Sequence, residues 1–466
     1  MPLPEPGTQT LVSAAEVVSA GLCVGCGGCV SAAGIAGARM TWDADGQLKP
    51  TGPREWMRSR TPGFSATCPS SPLARNEQQL ADARFPAASQ KDALIGHYEE
   101  AYVGYAAGEG LRDNGSSGGM VTWMADELLR EGLVDGVAHV VPSEGGDRLF
   151  RYRISREQSA VRSGAKSRYY PVELSEVLTQ IRAVPGRYAV IGIPCFIKAI
   201  NLLRAEDPVI GERVAYTLGL YCGHMKSARM VESFAWQMGV PAEEVAAVEY
   251  RLKDAGRPAN RYRAQLTLQD GSSRAEDWWN LADGDWGAGF FQNAACDYCD
   301  DVVAETADIS FGDAWLEPYS SDGRGTNVVV VRAPALHALV EAGRREGRLS
   351  LDTVDRDFVV QTQAAGFRHR REGLAWRLSH RHGRLRPNKR VAAASGELPL
   401  RRKAVYFLRR AISRWSNRIF KLARRLRWPG LYIRWARVAL ALYQAVTWSH
   451  GRLGKLIDRI ERRFAA

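Results

Sequence analysis

Tyr188-Ala-Val-Ile-Gly-Ile193-Pro194-Cys195-Phe-Ile-Lys-Ala-Ile-Asn-Leu-Leu203 is the stretch on which the fold turns. Tyr188 to Ile193 is a short apolar run of strand length, and Pro194 opens a segment with helical apolar spacing through Leu203. Arg213 to Tyr221 repeats the strand design and ends at Cys222. Strand, helix, strand is the repeating unit of an α/β sheet. Cys195 and Cys222 then lie just beyond strand carboxyl ends, where open α/β sheets tend to place ligands.

The alternation continues outward. Upstream, Ala101 to Tyr105 reads as a strand, Gly118 to Glu131 as a helix and Val134 to Val141 as another strand. Downstream, residues 245–285 read as antiparallel strands, with Tyr262 to Leu268 alternating ahead of an Asp270-Gly271 turn. A Trp- and Gly-rich stretch leads into Cys296-Asp-Tyr-Cys299. Ala307-Asp308-Ile309-Ser310-Phe-Gly312-Asp313-Ala-Trp315 and a strand from Asn327 to Val331 complete the domain. Before it, a helix-like Leu11 to Ala20 leads into Cys23-Val-Gly-Cys26-Gly-Gly-Cys29, and a Gly- and Pro-punctuated region turns at Asp45-Gly46 and runs to Cys68-Pro69. Residues 74–96 read as a polar connection. The expected organisation is an N-terminal module over 1–75, a linker over 76–97, a main domain over 98–384 and a tail over 385–466. No internal repeat exceeds a few residues.

Length and composition exclude a small disulfide scaffold: the chain has 466 residues, 45% of them apolar, and only eight cysteines. The N-terminus has neither the basic start nor the apolar run of a signal peptide, so a reducing cytoplasm is expected, where clustered thiols read as metal ligands. The net charge of +12 is uneven. Residues 401–466 carry 18 Lys and Arg against Asp458 and Glu461, a net +16, which leaves about −4 for residues 1–400. The main body is mildly acidic, and the basic character belongs to an appendage. In that tail, apolar residues such as Trp415, Ile419 and Leu422 recur at helical spacing between arginines. Its most apolar run, 429–448, is interrupted by Arg434 and Arg437, which argues against a full transmembrane span.

Cys23, Cys26 and Cys29 form C-x2-C-x2-C, a spacing that lets a tight, glycine-permitted loop present three thiolates to a cubane. The bacterial ferredoxin run shares these spacings and ends in Cys-Pro, so Cys68-Pro69 is the candidate fourth ligand of a 4Fe-4S cluster. Zinc also accepts four thiolates, but its sites usually pair two separate C-x2-4-C knuckles. Cys195, Cys222, Cys296 and Cys299 are scattered, and spacing alone does not assemble them. A lone C-x2-C is equally a zinc or redox dithiol motif, and a single cysteine after a strand is more often an inert buried residue.

Several segments, in order over roughly residues 20–370, resemble the beta-subunit family of coenzyme F420 hydrogenase and dehydrogenase, whose coenzyme is a deazaflavin. They are the N-terminal cysteine motif with Cys68-Pro69, Ser116-Ser117-Gly118-Gly119, Ser163-Gly-Ala-Lys166-Ser167-Arg-Tyr169, Gly192-Ile-Pro194-Cys195, Leu220-Tyr-Cys222, Cys296-x2-Cys299 and the Ala307–Trp315 segment. Relatives include 7-hydroxymethyl chlorophyll a reductase and the electron-input subunits of formate dehydrogenases and sulfite reductases. The resemblance implies a mixed α/β (α+β) flavoprotein core with an N-terminal ferredoxin-like iron–sulfur module and a basic helical C-terminal extension. It makes Cys195, Cys222, Cys296 and Cys299 the ligands of a second 4Fe-4S cluster beside a noncovalent FAD. It also assigns FAD contacts to Asn114, Ser116, Ser117, Gly118, Gly119, Lys166, Ser167 and Tyr169. At the residues themselves, a glycine-rich helix start can hold pyrophosphate or be only a turn, and Lys166 can face a flavin or solvent.

The implied activity is oxidoreduction: electrons pass between a one-electron carrier, two clusters and FAD, which exchanges hydride with a small-molecule substrate. The N-terminal module, as the chain's own electron inlet, favours a ferredoxin-linked reductase. A coenzyme F420-linked subunit of a larger complex is the alternative, and a non-catalytic electron-transfer or scaffold protein is the third reading. His224, two residues from Cys222, reads as a packed neighbour or a tuning group, and Asp313 and Trp315 as supports for the second-cluster loop. The tail reads either as a solvated or partner-binding extension or as an amphipathic segment on the anionic inner face of a membrane. It carries no recognisable nucleic-acid reading motif. No catalytic acid or base stands out.

Overall fold

Apolar runs between residues 100 and 353 pair into one eight-stranded sheet in a computed structural model that describes residues 10–381, 385–394, 396 and 398–464, with only the backbone of 461–464. Residues 1–9, part of the segment read for a leader peptide, lie outside the described residues. The strands are β1 (Glu100–Ala106), β2 (Gly136–Pro142), β3 (Phe150–Ser155), β4 (Tyr188–Gly192), β5 (Val214–Leu220), β6 (Ile309–Asp313), β7 (Asn327–Val331) and β8 (Leu349–Thr353), in the spatial order β8-β1-β7-β6-β5-β4-β2-β3. The inner run β2-β4-β5-β6 is parallel. Every outer pairing is antiparallel.

Successive residues of a strand point to opposite faces, so a strand buried on both sides must be apolar throughout. β4 shows this directly. Ala189 joins a core with Met120 and Trp123 of helix α1 (Met120–Arg130), while its neighbour Val190 joins one with Phe196, Ile197 and Ile200 of helix α2 (Pro194–Glu206). Strand ends and helix starts therefore gather at one edge of the parallel strands, which places Cys195 and Cys222 together. The expected antiparallel region forms a separate three-stranded sheet, Val245–Leu252, Arg263–Leu268 and Ser273–Asp277.

The N-terminal segment contributes a helix, Ala14–Ser19, closed by a capping box between Ser13 and Glu16, and a hairpin, Arg39–Trp42 with Leu48–Thr51, about the expected Asp45-Gly46 turn. The polar stretch 74–96 carries a helix, Glu77–Arg84, whose Glu77 is buried against Lys198 of α2 at 3.2 Å.

The tail is not the appendage that its charge implied. Its helices are α3 (Leu400–Arg425), α4 (Pro429–Trp448) and α5 (Gly451–Phe464). Ile412, Phe420, Tyr432 and Ala436 are buried in one cluster with Phe290 and Phe291 of the main body. Phe420 stacks on Trp236 at 4.4 Å, and Ser416 Oγ accepts a hydrogen bond from the Phe291 amide at 2.9 Å. Arg414, Arg418, Arg434 and Arg437 are exposed while Ile412, Phe420, Tyr432 and Ala436 of the same helices pack inward, a division that a net charge by segment does not register. No helix among the described residues is long and apolar enough to cross a membrane.

Candidate functional site

All eight cysteines are free thiols. Cys23, Cys26 and Cys29 come from the loop entering the short helix Gly28–Ala33, and Cys68 caps the carboxyl end of the helix Pro62–Thr67. These four line one cavity of about 30 Å³ with Val24, Met40 and Phe64 among its walls. The structure thus brings Cys68 to the other three across the intervening hairpin. Lys49 Nζ donates to the Cys23 carbonyl at 2.6 Å, and the Leu174 amide donates to the Cys26 carbonyl at 2.9 Å, which pins the loop at both ends. Gly25 has φ +76°, and a Cβ there would lie 2.6 Å from the Leu48 carbonyl oxygen, so only glycine fits. Burial pushes the Cys26 thiol up to about 12 and those of Cys29 and Cys68 well above their ordinary value.

The second four are assembled by long-range pairing. Cys195 lies in the first turn of α2, Cys222 just beyond β5, and Cys296 and Cys299 in and after the single turn Ala294–Tyr298. The strand-like loop after Cys222 pairs with the segment before Cys296: the Ser227 amide donates to Phe291 and the Asn293 amide to Met225. The Met225 amide then donates to Cys296 Sγ at 3.3 Å. A cavity of about 20 Å³ is lined by Cys195, Cys222, Cys296, Cys299, Met225, Arg370 and Val24. Val24 lines both cavities, so the two lie next to one another.

Arg370 is the residue that sequence reasoning missed. It is 4% exposed, and its Nη2 donates to the carbonyls of Cys222 (3.0 Å) and Gly223 (2.6 Å). Burial raises the thiols of Cys222 to about 12 and Cys296 to about 11, and the Arg370 charge opposes that rise at both and at Cys299. Its neighbours in sequence, His369 and Arg371, look no different, so no local signal marks it. His224 is buried and stacked on Trp286 at 4.6 Å, its Nε2 has no hydrogen-bond partner among the described residues, and burial drives its pKa well down. Asp313 pairs with Arg251 at 2.9 Å and Trp315 lies under the same guanidinium, which ties the large sheet to the small one rather than lining the second cavity.

The two segments expected to hold FAD do meet: the Ser167 amide donates to Ser116 Oγ at 2.7 Å. Lys166 has φ +105° and pairs with Glu249 at 2.8 Å, while Tyr169 sits among Tyr250, Trp278 and Trp286. Lys253, whose pKa burial lowers to about 8, donates to the Ser117 carbonyl at 2.9 Å. Lys166 and Tyr169 thus have partners within the protein itself, a carboxylate for the one and three aromatic rings for the other. The helix start is more self-contained. Gly119 is the N-cap of α1, the Met120 amide donates to Asn327 Oδ1, Ser117 Oγ donates to the Thr326 carbonyl, and a Cβ on Gly118 would meet the Gly104 carbonyl at 2.7 Å. Asn114 ends the short helix Leu111–Asn114 and is exposed. These glycines are required by the protein's own backbone contacts.

Each four-thiol cavity fits an iron–sulfur cluster by its donor chemistry. Among the described residues no group of three or more His, Cys, Asp or Glu side chains closes tightly enough to hold a single metal ion. Four thiols around one cavity are a donor set that an iron–sulfur cluster and zinc both accept.

No curated protein matches the chain. One solved structure, the xenon-derivatised F420-reducing NiFe hydrogenase complex from Methanosarcina barkeri, contains a similar chain with 17% sequence identity and a TM-score of 0.49; the match covers 64% of this chain and 99% of that one. The family model for the N-terminal part of the coenzyme F420 hydrogenase/dehydrogenase beta subunit matches residues 101–179, which include the Ser116–Gly119 and Lys166–Tyr169 segments. The model for the C-terminal part of the same beta subunit matches residues 186–357, which include Cys195, Cys222, Cys296 and Cys299. Together the two models match more than half of the chain, which belongs to the coenzyme F420 hydrogenase/dehydrogenase beta-subunit family.

Proposed function

We propose that the chain is an iron–sulfur electron-transfer subunit of the coenzyme F420-linked hydrogenase/dehydrogenase type, holding one 4Fe-4S cluster at Cys23, Cys26, Cys29 and Cys68 and a second at Cys195, Cys222, Cys296 and Cys299. The observation that carries this reading is the pair of four-thiol cavities that share Val24 in their walls. When bound, the clusters and an FAD beside them supply one-electron and hydride chemistry.

The chain's own residues provide the setting. Eight thiols supply two complete donor sets, and Met40, Phe64 and Val24 give the first cavity apolar walls. The Met225 amide and the Arg370 guanidinium place positive potential beside the second set. Lys166 and Tyr169 border the proposed flavin ring, and Ser116 holds that segment against the loop that opens α1. Free thiols in this number suit a reducing cytoplasm. The family's named coenzyme favours a deazaflavin electron partner over the ferredoxin-linked reductase that the N-terminal module alone recommends.

Iron, acid-labile sulfide and flavin analysis of anoxically purified protein tests this reading. About eight irons and one flavin per chain are expected, and Cys195→Ser retains about four irons. Zinc without sulfide overturns the cluster assignment. Reduced F420 is expected to bleach the visible absorbance under anoxia; bleaching by reduced ferredoxin alone returns the ferredoxin-linked alternative.

A further inference from the structure

We propose that the outward faces of α3, α4 and α5 form a docking surface for an anionic lipid bilayer, on which the protein lies without crossing it. Large apolar side chains that remain exposed are concentrated here. Phe407, Trp415, Trp428, Val438 and Trp448 are each about half exposed or more, Val438 at 69% and Trp448 at 66%. They are dispensable to the fold, because the opposite faces of α3 and α4 already supply the core contacts through Ile412, Phe420, Tyr432 and Ala436. On α5, Leu453, Leu456 and Ile460 recur at i, i+3 and i+7 and are all exposed, an apolar helix face left uncovered.

Charge identifies the occupant. Arg414, Arg425, Arg427, Arg434 and Arg437 are exposed and have no ion-pair partner among the described residues. Residues 1–400 carry about −4 while the tail carries +16, so the cationic surplus lies on the segment that bears the exposed aromatics. Arg437 and Val438 are adjacent on the outward side of α4, and the Arg418 guanidinium lies over the Trp415 ring at 5.1 Å. Trp and Arg interleaved in this way match a lipid headgroup layer, which is anionic outside and apolar a few ångströms in. The core of a protein interface is instead depleted in charge, and a nucleic-acid backbone gives uncovered Leu and Val nothing to bury against. Lys421 pairs with Asp45 at 2.7 Å and Arg424 with Glu232 at 3.1 Å, which fixes α3 to the body and keeps the face oriented.

Truncation of the tail would remove core residues, so the test uses surface substitutions in the full chain. The purified protein is sedimented with vesicles of phosphatidylcholine alone or with about a third phosphatidylglycerol. It is expected to pellet with the anionic vesicles, to stay in solution with the neutral ones, and to be released by salt. Arg434→Gln with Arg437→Gln is expected to weaken partitioning by about tenfold or more, from about fivefold per charge. Trp415→Ser with Trp428→Ser is expected to weaken it as well, with the melting temperature and visible spectrum unchanged in both variants. Absence of anionic selectivity, or partitioning unaffected by either pair, overturns the proposal. So does a dimer dissolved by the Trp pair without vesicle binding, or binding to duplex DNA that depends on the arginines but not the tryptophans.

Discussion

Arg370 shows how much one side chain can set at this site. A guanidinium that is 4% exposed and hydrogen-bonded to the carbonyls of Cys222 and Gly223 is a fixed positive charge beside four thiols. A nearby cation favours the more reduced, more negative state of a cluster. If the four thiols hold the proposed second cluster, Arg370→Met is expected to lower its midpoint potential by on the order of 50 mV, and Arg370→Lys by less. Redox titration followed by electron paramagnetic resonance reads the shift directly, and an unchanged potential refutes the role. At this scale the cysteines were legible because C-x2-C-x2-C is a local pattern. Arg370 was not, because its meaning comes from α2, β5 and the Cys296 turn, each distant in sequence.

Among the elements, α3 has two faces with different work. Phe420 is fully buried against Trp236, Phe291 and Tyr432, so Phe420→Ala is expected to cost about 3–5 kcal/mol and lower the melting temperature. The exposed Trp415→Ser on the same helix is expected to leave it unchanged. On β2, His139 is buried with Nε2 against Ser155 Oγ of β3 at 2.8 Å, and burial lowers its pKa to about 4. The unfolded chain binds a proton at about pH 6.5, so between those values the unfolded state holds more protons than the folded one. Stability is therefore complete above about pH 6.5 and falls by up to about 3 kcal/mol as pH drops toward 4. Thermal melting at about pH 7.5 and 5 is expected to show a larger drop for the native chain than for His139→Gln. The apolar runs of β1, β4, β5 and β7 announced themselves as strands. The use made of α3 did not, since helical spacing shows that two faces exist but not what covers them.

Across the whole molecule, a buried charge network joins four parts of the chain. Glu77, from the stretch that reads as a polar connection, pairs with Lys198 of α2 at 3.2 Å and with Lys389 at 3.1 Å; Lys389 also pairs with Asp300 at 2.8 Å, next to Cys299. Removing one partner of a buried pair strands the other, so Glu77→Gln is expected to cost about 3–5 kcal/mol, and Glu77→Gln with Lys198→Met less than that. Melting temperatures of the three proteins check this. The sequence by itself determined the α/β alternation, the antiparallel pair of strands about Asp270-Gly271 and the three-cysteine loop, because periodicity, turns and short spacings act between near neighbours. Only the tertiary structure decided that Cys68 reaches the first three thiols, that Cys195, Cys222, Cys296 and Cys299 share one cavity, and that the basic tail is half core and half surface. Those outcomes depend on strand order and on pairing between segments more than 200 residues apart, where packing of the whole sheet, and not local preference, selects which side chains meet.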